Sequence, residues 1–120
     1  MCMGKITFAE FEQVMSCDLN KKSDPCIEIW FCVDDYVEYQ ESWMGKMLDR
    51  EDAKKVWYWF GLVPDGSQAH DFNTFEEFAN AKVFYGSKSL KEIWDSVSIY
   101  SLGGGQVHET LRYFLSLDAE

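Results

Sequence analysis

Basic residues are scarce in this chain. Eleven Lys and Arg stand against 21 Asp and Glu, giving a formal charge of −10 and a sequence pI near 4.5. That balance repels nucleic acid and anionic membrane, so direct binding of either is not expected. Histidine is scarcer still: only His70 and His108 are present, far apart in sequence. A two-histidine metal site would need the fold to join them. Cys2, Cys17, Cys26 and Cys32 all fall in the first third, at spacings that fit no zinc or redox motif. A reduced, cytoplasmic protein is the simplest account, and nothing demands a Cys17–Cys26 or Cys26–Cys32 disulfide. The longest apolar run, residues 56–63, is far too short to span a bilayer. The opening residues lack a basic segment followed by an apolar one, so no signal peptide is expected. Gly4 is not placed for myristoylation. There is no G-x-S-x-G elbow, and no local pattern pairs a Cys with a His.

What is present is a foldable chain. Its 120 residues are 47% hydrophobic and 17% aromatic, which suits one compact domain over 1–120. Charged residues make up 27%, an ordinary share that excludes an acidic disordered chain. The acids are unevenly placed. Residues 23–45 hold Asp24, Glu28, Asp34, Asp35, Glu38 and Glu41 and no Lys or Arg, which is −6 of the −10. The same window interleaves Trp30, Tyr36, Tyr39 and Trp43, so it reads as sheet rather than as a solvated tail.

Three helix starts share one chemistry. Thr7-x-x-Glu10, Thr74-x-x-Glu77 and Ser89-x-x-Glu92 fit the capping box, in which a hydroxyl accepts from a first-turn amide and the glutamate reaches back. These predict helices over about 7–17, 74–81 and 89–96, with a closing helix over 106–117 after Gly103-Gly104-Gly105. Strands are predicted over 26–33, 37–44, 54–63 and 97–102, with Asp34-Asp35-Tyr36 as a hairpin turn. The fold expected is α+β: an antiparallel sheet of about four strands with helices packed on one face, in the order α-β-β-β-α-α-β-α. Ile27, Ile29, Phe31, Val33, Val37, Tyr39, Tyr58 and Phe60 would face the helices. Glu28, Trp30, Glu38, Gln40, Trp57 and Trp59 would lie on the other side, with a covering helix layer as the competing arrangement.

Several groupings invite a chemical reading. Asp52-Ala53-Lys54 has the D-x-K spacing of metal-dependent phosphodiesterases, but it falls in a charged connection and the overall charge opposes such a substrate. Gly103-Gly104-Gly105 lacks the lysine and hydroxyl of a nucleotide loop. Lys46, Arg50, Lys54 and Lys55 are interleaved with Asp49, Glu51 and Asp52, which suggests a self-neutralising surface. No catalytic residue, metal ligand or cofactor is assigned.

The strongest functional reading is therefore a non-enzymatic binding protein. Its partner would be a basic protein surface, such as the groove of a nucleic-acid enzyme, met by Glu28, Trp30, Asp34, Asp35, Glu38 and Glu41. Small size, acidity and aromatic content make the chain similar in composition, though not in motif, to stoichiometric inhibitors. These include phage-borne nuclease blockers (anti-CRISPR proteins among them), DNA-mimic antirestriction proteins and immunity proteins of nuclease toxins. Two alternatives stand beside it: a small enzyme or ligand-binding domain with a pocket near His70, Asp71 or His108, and a self-associating module with a homodimer seam on the Trp57–Trp59 strand.

Overall fold

The computed structural model describes residues 4–16, 26–34, 36–49, 51–52, 54–84, 87–102 and 112. The elements are α1 (Phe8–Met15), β1 (Cys26–Val33), β2 (Ser42–Leu48), β3 (Val56–Gly61), β4 (Ala69–Phe72), α2 (Phe75–Asn80), a 3-10 turn (Trp94–Ser96) and β5 (Val97–Leu102). All strand pairs are antiparallel, and the sheet order is β4-β3-β2-β1-β5. Among the described residues the fold is thus α+β, with a five-strand antiparallel sheet, two helices of which one is short, and the order α-β-β-β-β-α-β.

Local chemistry sets the helix starts. The Thr7 hydroxyl accepts from the Glu10 amide at 3.0 Å, and the Glu10 carboxylate accepts from the Thr7 amide at 2.8 Å. The box closes as its spacing requires, and α1 presents Phe11, Val14 and Met15 to the core. Thr74 caps α2 through the Glu77 amide at 3.1 Å. Phe78 of α2 stacks on Phe60 of β3, with centroids 4.3 Å apart and planes 13° apart. Phe75 meets Tyr58 edge-on, and Phe11 of α1 packs on Phe75, Phe78 and Trp94. The aromatic core therefore lies between one sheet face and both helices. Ile27, Ile29, Phe31 and Val33 point into it from β1.

The structure corrects the expected fold in four places. The sheet has five strands, because Ala69–Phe72 pairs with β3 through Tyr58–Phe72 and Phe60–His70. The second strand starts at Ser42, not Val37. Residues 36–41 form a connection instead, closed by the Val33 amide on the Tyr39 carbonyl at 2.8 Å and by Gln40 Nε2 on the Val33 and Tyr36 carbonyls. The connection between β1 and β2 is thus longer than the hairpin turn expected at Asp34-Asp35-Tyr36, of which Asp35 lies outside the described residues. Tyr39 is buried as expected, whereas Val37, expected inside, is 91% exposed. The third capping box forms between Ser89 and Glu92 but leads only into turns and the 3-10 segment. The helix expected over 106–117 and the glycine run before it lie outside the described residues, apart from Arg112.

Lys46 is the least expected core residue. It was grouped with the surface lysines, yet it is 4% exposed on the helix-facing side of β2. Its Nζ donates to the Met15 carbonyl at 2.7 Å and lies 5.8 Å from the Tyr58 ring centroid. The ammonium thus sits at the negative end of α1, where a cation is stabilising.

Candidate functional site

Both helices pack on one side of the sheet, and the other side carries four of the five tryptophans. Register explains the gathering. One cross-strand row runs Trp30–Trp43–Gly61–Ala69, with Ser101 beyond Trp30 on β5. The neighbouring row runs Glu28–Gly45–Trp59–Asp71, and the next Cys26–Met47–Trp57. Directly paired residues share a face, so these rows lie side by side. The fifth tryptophan, Trp94, is on the helix side, where its Nε1 donates to the Ile6 carbonyl at 2.8 Å.

The indoles are ordered against one another. Trp30 and Trp43 stack with centroids 5.9 Å apart and planes only 10° apart. Tyr100 packs on the far side of Trp30 at 4.6 Å. It lies beside the register shift between β1 and β5, where pairing jumps from Trp30–Ser101 to Phe31–Ile99. Trp59 lies across the sheet between two glycines. An added Cβ on Gly45 would be 2.9 Å from its Cζ2, and one on Gly61 would be 4.0 Å from its Cζ3. Trp30, Trp43, Trp59, Glu28, Glu41 and Gly61 line a concavity of about 690 Å³, with Val63 and Pro64 also in its lining.

Trp57 is served from its own chain. Its Nε1 donates to Asp49 Oδ2 at 2.8 Å, and Lys55 Nζ stands 4.3 Å above its ring. The Trp57 hydrogen bond, followed by those from the Glu51 and Asp52 amides, holds the Asp49 carboxyl below its usual range. Asp49 therefore caps the turn after β2. Asp52 of the D-x-K triplet likewise accepts from the Lys54 amide at 2.9 Å and helps build that turn.

The six residues chosen from the sequence are only partly brought together. Glu28, Trp30 and Glu41 meet in the concavity. Neither glutamate makes an ion pair among the described residues, where Lys5–Asp34 and Lys82–Glu92 are the two found. Glu38 is exposed on the 36–41 connection, away from the strand position expected. Asp35 lies outside the described residues. Asp34 sits at the β1–β5 end, bridged to Lys5 at 3.0 Å and accepting from the Ser98 hydroxyl at 3.1 Å. Burial pushes its carboxyl up, but the bonds from Lys5 and Ser98 and the Lys5 charge outweigh burial and hold it below the usual range. Tyr100 is raised, first by its hydrogen bond with Cys32, then by burial and by the nearby carboxylates of Glu41 and Asp34.

Trp43 is not among the site residues expected from the sequence. Trp43 is 39% exposed on the open face, while Ser42 is buried and donates to the Leu62 carbonyl at 2.7 Å. The available signal was Met44, Lys46 and Leu48 alternating with Trp43, Gly45 and Met47 opposite the aromatic third strand. Of the alternative pocket, His70 and Asp71 are successive residues of β4 and point to opposite faces of the sheet. His108 lies outside the described residues.

Among the described residues no group of three His, Cys, Asp or Glu side chains is arranged to hold a metal. No helix there is long and apolar enough to cross a membrane. The chain matches no protein-family model, and neither curated proteins nor solved structures include one similar to it.

Proposed function

We propose that this chain is a non-enzymatic binding protein, a stoichiometric inhibitor whose uncovered sheet face docks on a basic protein surface. The partner class is a nuclease or other nucleic-acid enzyme, blocked at its nucleic-acid groove. A phage anti-defence protein or a toxin-immunity protein is the corresponding biological setting. One observation carries the proposal: four tryptophans share a sheet face that neither described helix covers, with Glu28 and Glu41 beside Trp30, Trp43 and Trp59 and, among the described residues, no cation over those three rings.

Tryptophans at the centre of an interface are its usual energetic anchors, each costing about 2 kcal/mol or more on truncation. Carboxylates around them steer a basic partner and speed association at low salt. The placement favours an anchored aromatic contact over imitation of a phosphate row. Asp34 is engaged with Lys5, and Glu28 and Glu41 stand in the concavity rather than along a line. The net charge of −10 also disfavours pairing of this face with a second copy, because Glu28 and Glu41 would meet their own kind.

Affinity capture followed by titration tests the proposal. The captured protein's cleavage of, or binding to, nucleic acid is expected to fall to zero at one equivalent. Trp30→Ala with Trp43→Ala is expected to weaken capture by about 1,000-fold, the sum of two anchors of about 2 kcal/mol each. Capture of no nucleic-acid enzyme, or undiminished inhibition by that folded double variant, would overturn it.

A further inference from the structure

We infer that the concavity bounded by Trp30, Trp43, Trp59, Glu28 and Glu41 is a socket for one arginine side chain of the partner. The inference rests on the binding role proposed above and names the chemistry at its centre.

The floor is an indole lying on the sheet. An added Cβ at position 45 would run into Trp59 and one at position 61 would just touch it, and both positions are glycine. An indole laid down in this way presents its π face outward. The stacked Trp30–Trp43 pair forms a wall, and both carboxylates belong to the lining. A guanidinium suits this arrangement better than an ammonium. Its plane stacks on an indole, while its N–H donors point outward in that plane toward carboxylates at the edge. An ammonium is compact and strongly hydrated, and it gains less from a broad aromatic floor.

The same sheet face holds a completed version of this pairing. One strand position away, Trp57 has Lys55 above its ring and Asp49 on its indole nitrogen. In the concavity the indoles and acids are present, yet among the described residues no cation lies over Trp30, Trp43 or Trp59. Carboxylates with no ion pair among the described residues, beside open aromatic faces, suit a cation, and the concavity, about 690 Å³, has room for a whole side chain.

The test uses the intact chain and small capped amino acids. N-acetyl-arginine methylamide is titrated while the five indole Nε1–H resonances are followed, with the matching citrulline and lysine compounds alongside. Saturable shifts at two or more of Trp30, Trp43 and Trp59 are expected with arginine, with Trp94 unmoved. Glu28→Gln with Glu41→Gln is expected to weaken arginine binding about tenfold, as loss of charge-assisted bonds does. Citrulline is expected to give no saturable shift, and lysine at least about fivefold weaker binding. No saturable arginine shift, equal binding of citrulline or lysine, or indifference to the double glutamine variant would overturn the socket. The protein-level reading fails separately. A chain that binds no arginine yet loses its captured partner on Trp30→Ala with Trp43→Ala disproves only the socket. One that binds arginine but captures no nucleic-acid enzyme disproves only the partner class.

Discussion

Gly45→Ala is expected to be the most damaging single-methyl change in the sheet. Gly45 sits in β2 opposite Glu28 on one side and Trp59 on the other. A Cβ there would stand 2.1 Å from the Ile27 carbonyl oxygen and 2.9 Å from Trp59 Cζ2. The closest comfortable carbon–oxygen approach is about 3.3 Å, so β1 and β2 would have to part by about 1 Å. The oxygen is backbone and cannot swing aside, and β1 and β2 are central strands. Overpacking of this kind costs about 3 kcal/mol, the upper part of the usual range. At about 4 °C per kcal/mol for a chain of this size, the melting temperature should fall by about 12 °C. Gly61→Ala is the control, because its Cβ would meet only Trp59 Cζ3 at 4.0 Å, an ordinary contact. That variant should change stability by less than about 1 kcal/mol, with a small gain from a stiffer unfolded chain. Urea and thermal unfolding, followed by tryptophan fluorescence, separate the two. If Gly45→Ala melted with Gly61→Ala, the close approach of β1 to β2 and the laid-down Trp59 would both be wrong.

Other substitutions probe the remaining supports. Lys46→Ala should destabilise by about 2 kcal/mol in urea unfolding, because the Met15 carbonyl loses a charged donor and a buried stem is removed; an unchanged midpoint would contradict the capping role. Glu92 is held at about 2, against an ordinary 4.5, first by the Lys82 hydrogen bond and then by the Ser89 amide. A lowered folded pKa gives stability that is present above about pH 4.5 and lost as pH falls toward 2. Thermal melts across that window should therefore show a shallower acid loss for Glu92→Gln than for the wild type, and equal slopes would refute the pairing. Trp43→Ala should leave far-UV dichroism intact and lower stability by less than Phe60→Ala does, since Phe60 is buried in the core and Trp43 is half open.

How much of this was legible in the sequence depends on how local each signal is. Thr7 and Glu10 cap α1 through bonds that span three residues, so their spacing suffices to find the start. In β1, the alternation of Ile27, Ile29 and Phe31 with Glu28 and Trp30 records burial directly. The second strand was misplaced because Val37, Tyr39 and Glu41 alternate like a strand, although that stretch is held as a connection by the Val33 and Tyr36 carbonyls. The real β2 contains Gly45 and Lys46, which have low strand preference and are there for tertiary reasons: close approach at one, a helix end at the other. Ala69–Phe72 is too short and too polar to announce itself, and its pairing with β3 makes it a strand. The Ser89–Glu92 box marks a start but cannot dictate length, since propagation into a helix needs more favourable turns than this segment forms. Of the candidate site, Glu28, Trp30 and Glu41 were within reach because charge and aromatic content coincide in one window. Trp43 was not, because its facing depends on a register that only pairing with β1 and β3 defines.

The five indole Nε1–H resonances offer the most direct reading of where a partner sits. Trp30, Trp43, Trp57 and Trp59 share the open face, and Trp94 is buried on the helix side with its nitrogen bound to Ile6. When a basic nucleic-acid enzyme binds, shifts concentrated on the first four with Trp94 unchanged are predicted. Movement of Trp94 with the other four silent would place the contact on the helix side and contradict the docking face.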